Sequence, residues 1–125
     1  MYRILSVSRH LSLLLSRNDA LAMAGFNVVS PRAPEDTASL AAEREPDAVI
    51  IGHSVEAHTR AQIIADVRRI RPKCLVVFVY AFPETTGDPM ADVSLDVTHG
   101  PESLITILQE RLPRSQATES SSGRP

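Results

Sequence analysis

Two uninterrupted apolar runs, Ala48-Val49-Ile50-Ile51 and Leu75-Val76-Val77-Phe78-Val79, constrain this chain more than any other feature. A strand apolar at every position must be covered on both faces, which requires a parallel sheet lying between two helical layers. Tyr2–Val7 and Phe26–Ser30 read as two further short strands, and Asp92–Val97 as a weaker one. Between the strands the apolar spacing changes from continuous to helical. Leu11, Leu14, Leu15, Asn18, Leu21, Ala22 and Gly25 fall on one predicted helical stripe, with Ser8 as N-cap and Gly25 as the stop. Pro34 opens a second helix that runs to about Arg44 and turns Leu40 and Ala41 inward. Ser54 is expected to cap a third, buried through Ile63, Ile64, Val67 and Ile70. Pro101–Leu112 closes the fold with Leu104, Ile107, Leu108 and Leu112.

Strand and helix thus alternate, with connections long enough for parallel crossovers. The predicted fold is α/β: a three-layer α/β/α sandwich around a flavodoxin-like five-stranded parallel sheet of order 2-1-3-4-5. Two prolines and a glycine between Ala81 and Asp92 predict that the crossover helix joining the fourth and fifth strands is shortened or absent. After Arg114 the sequence becomes Ser-Gln-Ala-Thr-Glu-Ser-Ser-Ser-Gly-Arg-Pro, in which Ala117 is the one apolar side chain. Such a segment does not repay the entropy of ordering. The expected organisation is therefore a domain over residues 1–112 and a disordered tail over 113–125.

Composition excludes several function classes. A formal net charge of −2 gives no basic field for nucleic acid or an anionic membrane. The local cluster Arg68, Arg69, Arg71 and Lys73 is accounted for by the end of the third helix, where cations are favoured. A lone cysteine, Cys74, forms neither an internal disulfide nor a multi-cysteine metal site. Arg9-His10 and Arg17-Asn18-Asp19 interrupt the N-terminal apolar stretch and argue against a signal peptide. No run approaches the roughly 18 apolar residues of a membrane span. A cytoplasmic location is expected.

In a sheet of this order, ligands bind beyond the carboxyl ends of the strands, where the first and third diverge. The candidate residues there are Ser8, Arg9 and His10, then Gly52, His53 and Ser54, with Tyr80-Ala81 and Val97-Thr98-His99 completing the rim. His10, His53 and His99 are candidate rim ligands for Zn²⁺. The fifth strand, however, lies two strands from the third, roughly 10 Å away, which favours ordinary loop histidines and no metal. His53-Ser54 with Asp47 or Asp66 lacks the glycine pattern of a nucleophile elbow, so no enzyme is expected. No glycine-rich phosphate loop follows the first strand, and no cofactor is implied.

Three segments resemble the receiver domain of bacterial two-component response regulators. Ile4-Leu5-Ser6-Val7 is similar to its first strand, Pro46-Asp47-Ala48-Val49-Ile50-Ile51 to the run before its phosphoacceptor, and Pro101-Glu102-Ser103-Leu104 to the start of its last helix. The resemblance covers residues 1–112. It implies an acidic metal-binding pair after the first strand, a phosphoacceptor aspartate ending the third, a Thr or Ser ending the fourth and a lysine ending the fifth. Those positions fall here on Ser8 and Arg9, Gly52, Tyr80 and Val97. The resemblance therefore implies a degenerate receiver that acts in two-component or phosphorelay signalling through protein partners, or as a homodimer, without phosphorylation. The alternative is a small ligand-binding domain using the crevice at the carboxyl ends of the first and third strands. An open polar crevice would favour that alternative; one filled by Tyr80 and apolar side chains would favour the adaptor.

Overall fold

The computed structural model describes residues 1–81, 87–98 and 100–112. Five strands, β1 (Arg3–Val7), β2 (Asn27–Val29), β3 (Ala48–Gly52), β4 (Leu75–Tyr80) and β5 (Val93–Asp96), form one sheet in the order β2-β1-β3-β4-β5. All four pairings are parallel. The predicted sheet and its order are therefore those of the molecule. Helices α1 (Leu11–Met23), α2 (Thr37–Arg44), α3 (Ala57–Ile70) and α4 (Glu102–Arg111) supply the outer layers, with a single 3-10 turn over Pro34–Asp36 leading into α2.

Side-chain alternation along the strands divides the core in two. Leu5, Val7, Val49, Ile51 and Val76 face α2 and α3, where Ala41, Ile63, Ile64 and Val67 meet them. Ile4, Ala48, Ile50, Val77 and Val79 face the opposite side and pack against Leu21, Leu104 and Leu108. Every residue of β3 is buried, as its continuous apolar run requires.

The structure departs from the sequence reading at the helix ends and on α1. His10, not Ser8, is the N-cap of α1; its ring accepts the Leu13 N–H at 3.4 Å. Glu56, not Ser54, holds the cap position of α3, without a side-chain bond. On α1 the inward face is Leu14, Arg17, Asn18 and Leu21, a proper i, i+3, i+4, i+7 set, but half of it is polar. Leu11, Leu15 and Ala22, placed on the buried stripe by their apolarity, are exposed instead. Ile70 and Ile107 are half-buried, and Ile105 joins Leu104 and Leu108 against the sheet. Gly25 does stop α1, with a φ of +99° that side-chain-bearing residues rarely adopt.

Residues 87–92, on the approach to β5, form turns rather than a helix, in keeping with a shortened or absent crossover helix. Polar stitches hold this segment against α3. Arg60 donates from Nε to Asp88 Oδ2 at 2.9 Å, and both side chains are nearly buried. The same guanidinium lies 4.4 Å from the centroid of the Phe78 ring, which in turn stacks on Tyr80. Arg68 donates to the Met90 carbonyl and to Asp92, whose second oxygen accepts the Val76 N–H. Arg69 donates to Asp66 and Arg71 to the Pro46 carbonyl, so these cations are engaged within the fold. Cys74 is buried, and burial pushes its thiol pKa up to about 12. The expected tail at 113–125 lies outside the described residues.

Burial alone would raise the Asp88 pKa, but the bonds from Arg60 and the Met90 N–H outweigh it and hold the carboxyl below its ordinary value. A carboxyl depressed by folding adds stability above its unfolded pKa of about 3.9, and that stability is lost as pH falls through the lower folded value. Asp88→Asn should therefore cost about 1–3 kcal/mol near neutrality, because Arg60 keeps its charge without its partner. In urea titrations the gap to the wild type should close as the pH falls through the lowered folded pKa of Asp88. An unchanged midpoint at neutral pH would show that the pair contributes nothing.

Candidate functional site

The carboxyl ends of β1 and β3 are tied together by hydroxyls. Ser8 Oγ accepts the His10 N–H at 3.0 Å and shares a 3.0 Å hydrogen bond with Ser54 Oγ, which also accepts the Arg9 N–H at 2.9 Å. Ser8 and Ser54 are thus a latch between the loops after these two strands. Each lies two residues before the N-cap of the helix that follows, His10 or Glu56, so neither caps it.

Arg9 extends the latch outward. It donates from Nη2 to Glu35 Oε2 at 2.6 Å and from Nη1 to Glu35 Oε1 at 3.3 Å, a two-pronged contact. Its Nε reaches Glu56 Oε1 at 2.9 Å. The bonds to Glu35 and Glu56 raise the Arg9 pKa, and the bond from Arg9 lowers that of each carboxyl. These side chains are open to solvent, so the network joins the α2 and α3 entries to the rim without much net stability. Both carboxylates are committed to a cation of the chain itself.

Inside the rim lies the least expected group. Arg17 reaches from α1 beneath the end of β3 and donates from Nη2 to the Val7 carbonyl at 3.2 Å. A Cβ at Gly52 would sit 3.4 Å from this same nitrogen, 3.6 Å from the Val7 oxygen and 3.7 Å from Ser8 Oγ. The absence of a side chain at position 52 thus leaves room for a guanidinium. Arg17 Nη1 is enclosed and has no hydrogen-bond partner among the described residues. Burial pulls the Arg17 pKa down to about 10, so the group is still charged at neutral pH.

A cavity of about 220 Å³ opens beside Gly52 on the α1 and α4 side of the sheet. Its walls are mostly apolar, from Leu13, Val79, Val97, Pro101 and Leu104, with Arg17 and His53 also contributing. The crevice is therefore neither open and polar nor filled by Tyr80. Register explains this: Gly52 pairs with Val79, and Tyr80, the next residue, turns its ring to the opposite face and onto Phe78.

The structure brings Ser8, Gly52, His53 and Val97 to this cavity, and places Arg9 and Tyr80 away from it. The His10 ring is occupied as the cap of α1 and by Ser12 Oγ at 3.2 Å. His99 lies outside the described residues. Among the described residues, no three His, Cys, Asp or Glu side chains gather as a metal-binding group. Arg17, Glu35 and Glu56 are the site residues that sequence reasoning missed. Arg17 alone left a signal, being spaced i+3 from Leu14 and i−4 from Leu21 on the inward face.

No family model matches the chain, and no curated protein matches it. Solved structures do. The CheY-like response-regulator receiver domain from Methylobacillus flagellatus superposes with a TM-score of 0.74 at 22% identity, covering 88% of this chain and 98% of that one. The CheY-like receiver domain protein from Methanospirillum hungatei gives 0.75 at 16%, over 94% and 98%. The Vibrio cholerae chemotaxis protein CheY4 gives 0.74 at 20%, over 88% and 98%. At these identities the likeness establishes the fold: the architecture is that of CheY-like response-regulator receivers.

A carboxylate placed at position 52 should meet Arg17. Gly52→Asp is expected to raise the unfolding free energy by about 1–3 kcal/mol by pairing the buried guanidinium. Added Mg²⁺ should give no further increase, because Arg17 already occupies the carboxylate. A destabilised variant, or one stabilised by Mg²⁺, would show that Arg17 does not hold this position.

Proposed function

We propose that this chain is a receiver-like signalling protein that works by protein–protein contact, with no phosphorylation step and no catalytic activity of its own. The observation that carries the reading is Gly52 with the Arg17 guanidinium beside it. If the chain's strand ends correspond to those of the receivers it resembles, the phosphoacceptor position has no carboxylate to attack phosphorus, so an aspartyl-phosphate has no place to form. The acidic-pair positions carry Ser8 and Arg9. Mg²⁺ seeks several hard oxygen ligands, whereas two arginines stand near this point and two carboxylates are taken up by Arg9. The lysine position is Val97, whose side chain lines the apolar cavity.

Receivers of response regulators contact other signalling proteins, and the reading assigns this chain a partner of that kind. Support comes from α1, which leaves Leu11, Leu13 and Leu15 exposed at 66%, 51% and 54%, next to the rim. A homodimer through the same face belongs to the reading as well. No described helix is long and apolar enough to cross a membrane. A cytoplasmic setting fits the reading.

Incubation with acetyl phosphate and Mg²⁺ should leave the intact mass unchanged. Capture of partners from the native host should be the same with and without acetyl phosphate. Leu11→Glu with Leu15→Glu should reduce capture while shifting stability by no more than about 0.5 kcal/mol, since both positions are exposed. A phosphoryl adduct, or capture that depends on acetyl phosphate, would overturn the proposal.

A further inference from the structure

The cavity beside Gly52 has a feature that packing does not explain. Its mostly apolar walls include one permanent cation, Arg17, which among the described residues makes a single hydrogen bond, to the Val7 carbonyl, while Nη1 makes none. A guanidinium carries five N–H donors, and a buried charge without a counter-charge is costly to maintain. Elsewhere in the molecule the buried cation Arg60 has its carboxylate, Asp88. Among the described residues, no acidic side chain lines the cavity around Arg17. The missing partner is an anion.

The geometry points to this cavity as a binding site for a small monocarboxylate, its apolar body against Leu13, Val79, Val97 and Leu104 and its carboxylate paired with Arg17. The walls favour an apolar body, since the surface they offer is mostly apolar and a polar body would regain little of its lost hydration from the few serines and His53 at the site. The single guanidinium specifies a single negative charge; a phosphate dianion would keep charge that nothing there neutralises. A planar fork of donors also suits the two oxygens of a carboxylate. The volume, about 220 Å³, is below the usual range for drug-sized ligands and specifies a short chain or one small ring. This site stands independently of partner contact, and its test leaves the phosphorylation question untouched.

Hexanoate, hexanamide and inorganic phosphate serve as probes, each titrated into the wild-type chain while the backbone amide resonances are followed. Hexanoate should give saturable shifts at Gly52, Val79 and Leu104, with a dissociation constant of about 1 mM or tighter. Hexanamide, of the same shape without the charge, should bind at least about tenfold more weakly. Arg17→Met should abolish the advantage of the acid over the amide. Equal binding of acid and amide, preference for phosphate, no saturation by about 10 mM hexanoate, or an advantage surviving in Arg17→Met would each overturn the inference. Should Arg17→Met fail to fold, the wild-type comparison of hexanoate with hexanamide decides alone.

Discussion

A buried positive charge at the carboxyl end of a parallel sheet organises everything around it. Arg17 reaches from α1 to the end of β3, where a side chain longer than Cβ at position 52 would meet it, and among the described residues it donates to the Val7 carbonyl alone. Burial lowers its pKa without discharging it, so the strand ends are positive at neutral pH. A cation placed there repels a divalent ion, which seeks oxygen ligands the apolar wall does not supply. It also ties α1 to the sheet by a polar contact where a leucine would be the usual choice.

The rest of the fold keeps that charge in place. The sheet is covered on both faces, and β3 is buried along its whole length, so its end is held rigidly. The Ser8–Ser54 latch and the Arg9 bridge to Glu35 and Glu56 fasten the loops around it. On the far face, Arg60 with Asp88 and Phe78 secures the approach to β5. Two part-buried arginines thus lie on opposite faces, one with a carboxylate and one without any among the described residues. The contrast between them separates a structural ion pair from a cation kept available.

The fold was legible because continuous apolar strands admit few architectures: Ala48–Ile51 and Leu75–Val79 led directly to a parallel sheet and its order. The strand-end positions followed from topology. What escaped was a polar residue turned inward. On α1, apolarity favoured Leu11 and Leu15, whereas the face actually used adds Arg17 to the Leu14, Asn18 and Leu21 already on the predicted stripe. A pattern that equates burial with hydrophobicity misplaces a helix whose inner face serves a site. Ser8 and Ser54 were read as helix caps because local sequence favours that use; their bond to each other spans forty-six positions and leaves no local trace. Whether Tyr80 fills the crevice was left open by the sequence, since a one-residue step along a strand reverses the face a side chain takes.

Arg17, charged and without a counter-charge among the described residues, is held at a cost in stability, as a site residue would be. Equilibrium unfolding of Arg17→Met measures this directly, because methionine keeps much of the length and removes the charge. The variant is predicted to be more stable than the wild type by about 1–3 kcal/mol. A variant less stable by a similar amount would show that Arg17 is a packing residue and that the account built on it is wrong.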